Sequence, residues 1–549
     1  IKDLTYSIEI ERKFSKDQIL WMYLNQIPFG SSIYGVEEAS KTFFGKPAIE
    51  LANAEAAILA ALIKAPTYYS PYGNHVPELL ARKDFVLKRM NDLGMLTAEE
   101  YDAAKKQELD FKKSAEKIAA PHFVVMVKEY LSSKYGEDVV ESGGFKVITT
   151  LDADLQTSAE EIVAKYVKIN KERYKATNAA MVSIDPKNGD VLVLVGSADY
   201  FDIENEGNFN VATARRQPGS AFKPFAYSMA LQKGYTDFTV LFDLKTEFNY
   251  KCSPDAIQEK DEFKDDCYHP QNYDGLYRGP VTIRQALSQS LNVPSVKTLY
   301  LAGVSDTIDL AESMGITTLE DRERFGLSLV LGGAEVKLVD LASAYGVFAA
   351  DGMRSPWSII QKIESPNGSV LEEKENEPKR VLDTQIVRMI NNILSDNSAR
   401  APVFGYSSSL YIAGRDVAAK TGTTQENRDA WVIGYSPSIV TGVWTGNNRQ
   451  QSMTQQGAGI SAAGPMWREF MVKVLESYPN ERFVSPSPLS ANKVMLDGNY
   501  IYTKDGASAP EYHTILYYVD RKNPTGAFPS DPSKDLQFNN WEWPIQNVY

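Results

Sequence analysis

Pro218 and Gly219 interrupt the chain just before a run in which Phe222, Phe225, Ala226, Met229 and Ala230 recur at helical spacing. A breaker followed by an apolar stripe predicts a loop that turns into a buried helix. Ser220 and Lys223 fall on the first turn of that helix, three residues apart and therefore on one face. Unpaired N–H groups and the positive end of the helix dipole favour loss of a proton from an ammonium there, and they stabilise an oxyanion forming nearby. The pair therefore reads as a nucleophile and its base. Composition alone yields about two S-x-x-K matches in a chain this long, so the pair acquires meaning only from what accompanies it.

Two further motifs follow in order. Ser290-Leu291-Asn292 lies just past a helix read over Val281 to Ser288 and just before Pro294. In a turn, Ser290 and Asn292 can point into a site while Leu291 points to the core, although S-x-N turns are common. Lys420-Thr421-Gly422-Thr423 ends an apolar strand and is followed by Asp429-Ala430-Trp431 and a second strand. On a strand, Lys420 and Gly422 face one side and Thr421 and Thr423 the other. Gly422 admits a close substrate backbone, the two threonines can hydrogen-bond a carboxylate, and Lys420 supplies positive charge. A K-T-G triplet arises by chance in about one such chain in ten.

The net charge of −13 excludes the clustered basic surface that nucleic acid requires. With 549 residues the chain has room for several domains. Its two cysteines, Cys252 and Cys267, share one polar, acidic stretch, and the four histidines are scattered, so no zinc pattern arises. A disulfide and two free thiols are equally compatible with that spacing. No apolar run approaches the roughly 20 residues of a membrane span. The most apolar segment, Ala54 to Ala65, is interrupted by Glu55 and Lys64 and reads as a buried helix.

Residues 1 to 110 are helical in pattern. One helix is read over Ile10 to Asn25, with Ser15-Lys16-Asp17-Gln18 as a start signal, and Gly45-Lys46 is read as a stop. Residues 111 to 170 read as a connector, with the charged run Lys112 to Lys117 and a strand over Phe145 to Thr150. Ala179 to Ile184 and Val191 to Val195 are β-branched runs around an Asn188-Gly189 turn, which predicts a hairpin. Residues 171 to 480 hold strand pairs, a helical block and more strands, an α/β domain with a mainly antiparallel sheet beside a helical lobe. From 481 to 549 the composition turns to Pro, Ser, Asn, Asp and Tyr. Short strands are expected within Gly506 to Tyr518, and a tail either loosely ordered or docked on a neighbour.

Several of these stretches resemble one family. Phe14-Ser15-Lys16-Asp17, Tyr23-Leu24-Asn25-Gln26-Ile27, Tyr34-Gly35-Val36-Glu37-Glu38-Ala39 and Thr42-Phe43-Phe44-Gly45-Lys46 are similar to the later half of the peptidoglycan glycosyltransferase domain. The S-x-x-K, S-x-N and K-T-G set is that of the penicillin-binding proteins and serine β-lactamases. Together they make the chain resemble a class A penicillin-binding protein, here truncated at its N-terminus. The resemblance implies a partial, lysozyme-like all-α glycosyltransferase domain over 1–110, a connector over 111–170, a penicillin-binding transpeptidase domain over 171–480 and a C-terminal extension over 481–549.

For chemistry, the resemblance implies acyl transfer, with Ser220 as nucleophile, Lys223 as base, Ser290 as proton relay and Asn292 as orienting amide. Lys420, Thr421, Gly422 and Thr423 would bind the substrate carboxylate, and the Ser220 and Thr423 N–H groups would form an oxyanion hole. Partners implied are D-Ala-D-Ala stem peptides, glycan strands, β-lactams and, for the full-length protein, lipid II. No cofactor is implied for transpeptidation, and a divalent metal only for an intact glycosyltransferase domain. The family's main catalytic glutamate and its membrane helix fall upstream of Ile1, and its second carboxylate falls near Asp3. Glycosyl transfer is therefore not expected of this chain, and the setting implied is the outer face of the bacterial cytoplasmic membrane. The alternatives are a D,D-carboxypeptidase or β-lactamase using water as acceptor, or a non-catalytic β-lactam sensor.

Overall fold

The computed structural model describes residues 2–30, 33–66, 68–71, 75–112, 119–202, 204–488, 491–503 and 510–549. The Asp3 side chain, most of the charged run Lys112 to Lys117, and the first part of Gly506 to Tyr518 lie outside what is described. The chain divides into two units, Ile1–Ala119 and Ala120–Tyr549.

The first unit is helical. The stretch read as one helix over Ile10 to Asn25 is two, Lys2–Lys13 and Lys16–Gln26. The break falls at Ser15, whose hydroxyl accepts the Gln18 N–H while the Gln18 side chain accepts the Ser15 N–H. A capping box of this kind starts a helix and cannot sit inside one. Phe29, Phe43, Ile58, Leu62 and Leu79 pack together as the core of this unit.

The second unit is built on a five-stranded antiparallel sheet. Its strands are β1 (Asn178–Ile184), β2 (Val191–Val195), β3 (Ala418–Thr423), β4 (Asp429–Ser436) and β5 (Ile439–Gly446), in the order β3-β4-β5-β1-β2. Every residue of β1, β4 and β5 is buried, because helices cover both faces. Ala180, Val182, Trp431 and Ile433 join the core shared with the helices Lys223–Gln232 and Leu338–Ala349. Met181, Val432 and Val443 pack on the opposite face with Ile162, Val163, Trp467 and Phe470 of the helices Ala153–Tyr174 and Gly464–Leu475. Alternate residues of each strand thus serve two different cores, the period-two pattern of a sheet covered on both sides. A smaller sheet joins Lys146–Thr149, Ile360–Glu364 and Val370–Glu373, all antiparallel.

Two further sequence expectations change, and one open alternative is decided. The helix read over Val281 to Ser288 begins at Ile283, because Gly279–Thr282 pairs with Val240–Asp243 as a strand. Ile515–Tyr518 is a helical turn, not a strand: Ile515, Leu516 and Tyr518 are all buried, which suits a turn of helix and not alternation. Between the two free thiols and the disulfide, the structure holds the disulfide, Cys252–Cys267.

The C-terminal segment takes the docked form. Met495, Leu496, Ile515, Leu516, Val519, Trp541 and Ile545 are buried in the large core, and Gln537 donates to the Phe248 carbonyl at 2.7 Å. Trp541 alone covers enough apolar area to fix such a tail, burial of a large aromatic contributing on the order of 2–3 kcal/mol.

Candidate functional site

The Ser220 segment is a 3₁₀ turn, Gly219–Phe222, that runs directly into the helix Lys223–Gln232. It is clamped from three sides. Arg216 exchanges both backbone hydrogen bonds with Val336, at 2.9 and 2.8 Å. The Trp431 indole donates to the Gln217 carbonyl at 2.8 Å, and the Tyr345 hydroxyl donates to the Ala221 carbonyl at 2.7 Å.

Strand β3 passes so close that only glycine fits at the crossing. A Cβ on Gly422 would lie 2.1 Å from the Pro218 oxygen. One on Gly219, whose φ is +54°, would lie 2.5 Å from the Thr423 oxygen and 2.8 Å from its nitrogen. The backbones around Ser220 and Thr423 are therefore in contact. We expect Gly422→Ala to push β3 off the Ser220 turn, an overpacking that costs about 1–3 kcal/mol of stability. Urea unfolding checks this, and a stability within about 0.5 kcal/mol of the parent would show that the turn can yield.

Lys223 is fully buried. Its amine donates to the Ser290 carbonyl at 2.7 Å, the Asn292 side-chain oxygen at 2.9 Å and the Leu291 carbonyl at 3.0 Å, and it lies 3.4 Å from the Ser290 hydroxyl. Burial, and next the charge of Lys420, push this amine well below the ordinary lysine range, against the opposing pull of Asp243. Lys420 donates to the Ser290 hydroxyl at 2.7 Å and to the Thr421 carbonyl at 3.0 Å. Burial pushes the Lys420 amine down to about 7.

The Ser290 oxygen thus lies between two lysines, one from each of the other motifs. A hydroxyl whose lone pairs take those amines must aim its own proton elsewhere. Ser290 holds a left-handed backbone, φ +60°, which costs a serine on the order of 1 kcal/mol and turns the chain sharply into the helix Asn292–Ala302. Leu291 is buried between Ser290 and Asn292, as an alternating turn requires.

The structure therefore brings Lys223, Ser290, Asn292 and Lys420 into one hydrogen-bonded cluster, with the Ser220 turn against the end of β3. The Ser220 hydroxyl is half-buried and has no hydrogen bond among the described residues. Thr423 accepts the Gly459 N–H through its hydroxyl at 3.0 Å, which leaves that hydroxyl a proton to donate. Thr421 is buried and touches the cluster through its carbonyl.

Sequence reasoning missed Gln271 and Asn272, which hold Asn292 at 2.7 Å each from residues 234–280, a long insertion rich in charge and aromatics that also carries both cysteines. No sequence signal links them to a residue twenty positions on. The insertion also contains the one group with metal-ligand spacing among the described residues, Glu247 with Cys252 and Cys267, and those two sulfurs are bonded to each other.

Residues 1–91 match the family described as Transglycosylase, and residues 179–472 match the Penicillin binding protein transpeptidase domain. Penicillin-binding protein 1A of Aquifex aeolicus (strain VF5) is 33% identical over 571 residues, covering 88% of this chain and 75% of that protein. Penicillin-binding protein 2D of Bacillus subtilis (strain 168) is 32% identical over 549 residues, covering 96% and 74%. Among solved structures, PonA1 of Mycobacterium tuberculosis in complex with penicillin V aligns with a TM-score of 0.56 and 29% identity over 68% of this chain and 97% of that one. Penicillin-Binding Protein 1A of Haemophilus influenzae shares the fold, with a TM-score of 0.63 and 23% identity over 94% of this chain and 92% of that one.

Proposed function

The chain belongs to the class A penicillin-binding proteins, and from that premise we propose that it cross-links peptidoglycan as a D,D-transpeptidase through an acyl-enzyme on Ser220. The observation that carries this reading is the Ser290 hydroxyl held between Lys223 and Lys420, at 3.4 and 2.7 Å. That contact ties three motifs from distant parts of the chain to one proton path.

In the reaction, the Ser220 oxygen attacks the carbonyl carbon of the penultimate D-Ala and its proton passes to Lys223. The oxyanion sits at the N–H groups of Ser220 and Thr423, each such donor contributing about a hundredfold or more in rate. The C–N bond breaks, the leaving D-Ala amine takes a proton through Ser290, and an ester remains. An amine of a neighbouring stem attacks that ester, forming the cross-link and returning the proton to Ser220. Lys420, Thr421 and Thr423 hold the substrate carboxylate, with Gly422 leaving room for its backbone. A β-lactam enters the same way, its ring amide opening onto Ser220, and the complex of M. tuberculosis PonA1 with penicillin V supports that ligand class. The route draws on no metal or cofactor.

The Transglycosylase match over residues 1–91 supports peptidoglycan as the polymer on which the chain acts. The penicillin-binding relatives support an extracytoplasmic, membrane-associated setting. Among the described residues no helix is long and apolar enough to cross a membrane.

Acylation of the free enzyme by a penicillin is expected to trace a bell against pH. It rises as Lys223 loses its proton, below the ordinary lysine range, and falls above about 7 as Lys420 loses the charge that attracts the carboxylate. A rate that does not fall between about pH 6 and 9 would contradict the role given to Lys420.

Intact mass spectrometry with a penicillin tests the function itself. One covalent addition on the peptide containing Ser220, lasting hours, is the expected result. An adduct that clears within minutes would make the protein a hydrolase, and no adduct at all would overturn the reading.

A further inference from the structure

Asn292 is held in place by the insertion, not by its own motif. Its backbone N–H donates to the Asn272 side-chain oxygen at 2.7 Å, and its side-chain amide donates to the Gln271 carbonyl at 2.7 Å. Asn272 is fixed in turn. Its side-chain nitrogen donates to both oxygens of Asp243 at 2.9 Å and to the Leu276 carbonyl at 2.8 Å. The orientation of this amide is not open to choice, since only its oxygen can take an N–H and only its nitrogen can face a carboxylate.

Asp243 is fully buried at the end of the strand Val240–Asp243 and also accepts the Arg278 N–H at 3.0 Å. Lys297, on the Asn292 helix, donates to the neighbouring Phe242 carbonyl at 2.8 Å; burial pushes its amine down to about 7, against the opposing pull of Asp243. A buried carboxylate with this many partners is a rigid anchor, because leaving any of them unpaired is costly.

We propose that Asn272 is a positioning residue for acyl transfer. Resting on the transpeptidase reading of the site, it relays the fixed place of Asp243 to the first residue of the Asn292 helix. That sets the distance at which the Asn292 side chain meets Lys223, 2.9 Å here. Asn272 touches no substrate, and its effect reaches the chemistry only through Asn292. The role also gives the insertion a function, since Gln271 and Asn272 follow its disulfide loop, Cys252–Cys267, by four and five residues.

A double-mutant cycle on the full chain tests this, with the second-order rate of acylation by benzylpenicillin as the readout. Asn272→Ala is expected to slow acylation on the order of 30-fold in the parent, but less than about threefold in an Asn292→Ala background. An equal loss in both backgrounds would make Asn272 a structural residue only, and an unchanged rate in the parent would dismiss it altogether.

Asn272→Asp is the second arm, nearly isosteric and usable if the alanine variant does not fold. It keeps the acceptor for Asn292 but sets a second carboxylate against Asp243, whose surroundings otherwise carry Lys297, Arg278, Tyr277 and, across the site, Lys223. A carboxyl that regains its proton can donate to Asp243 again. The rate relative to the parent should therefore recover as pH falls from 8 to about 5, and a ratio constant with pH would count against the proposal. A parent protein that forms no adduct refutes the transpeptidase reading, whereas a labelled parent with unaltered variants refutes only the role of Asn272.

Discussion

Ser220→Ala should leave the protein folded and free of any penicillin adduct, a loss of at least about a thousandfold in acylation. The hydroxyl is half-buried and engages no described neighbour, so its removal deprives the fold of no hydrogen bond. Stability should stay within about 0.5 kcal/mol of the parent, as for a surface change. Thermal melting and intact mass spectrometry on the same sample separate the two effects. The Ser290 hydroxyl takes amines from two lysines and is held in a left-handed turn. It cannot rotate to replace the lost nucleophile without breaking those contacts. An adduct of parental rate on the alanine variant would therefore move the nucleophile elsewhere and dissolve the assignment of the site.

Lys223→Met is expected to cost a comparable factor, about a thousandfold, by a different route. The methionine fills most of the buried volume but offers no proton acceptor to Ser220. It also leaves the Ser290 carbonyl and the Asn292 side-chain oxygen without their lysine donor, while the Leu291 carbonyl keeps the Ser295 hydroxyl. Stranded acceptors destabilise by about 1–3 kcal/mol each where no water replaces the donor, so a lowered melting temperature should accompany the loss. Lys223→Arg resolves which effect dominates. The guanidinium keeps donors for those oxygens yet stays protonated at any accessible pH. If it melts near the parent and is acylated as slowly as the methionine variant, proton transfer is the essential role of Lys223. If it is acylated at the parental rate, that role is refuted.

The parts of the fold legible in the sequence are those with local causes. The β1–β2 hairpin announced itself through Asn188-Gly189 between two β-branched runs. Ser15 announced a helix start, although the helical pattern on its other side concealed that it also separates two helices. The helix Asn292–Ala302 was hidden by Pro294, which reads as a breaker but sits where a first turn has no N–H to lose. Of the site, the three motifs were legible because each is a short string. Their support was not. Asp243, Gln271 and Asn272 act on Asn292 through a carboxylate, a carbonyl and a side-chain amide, and groups of that kind occur in any polar loop. The C-terminal segment was hidden for another reason. Trp541 and Ile545 stand in a short run with Phe538, Trp543 and Val548, and only the surface they fall on shows which of these are core.

The strand order carries a consequence for how such a chain reaches its native state. Strand β1 pairs on one edge with β2, a few residues away, and on the other with β5, where Met181 faces Val443 across 262 positions of sequence (443 − 181). At a synthesis rate of about 5–20 residues per second, the edge that will receive β5 is made roughly ten to fifty seconds before its partner. During that interval it is an unpaired strand of Ala, Met and Val, the composition most prone to pairing with a second chain. Closing so long a loop makes the sheet a late and slow event in folding. Because the Ser220 turn packs against β3 and takes the Trp431 indole of β4 on the Gln217 carbonyl, the candidate site can be complete only after these late strands are made. Catalytic competence and the end of aggregation risk should therefore arrive together.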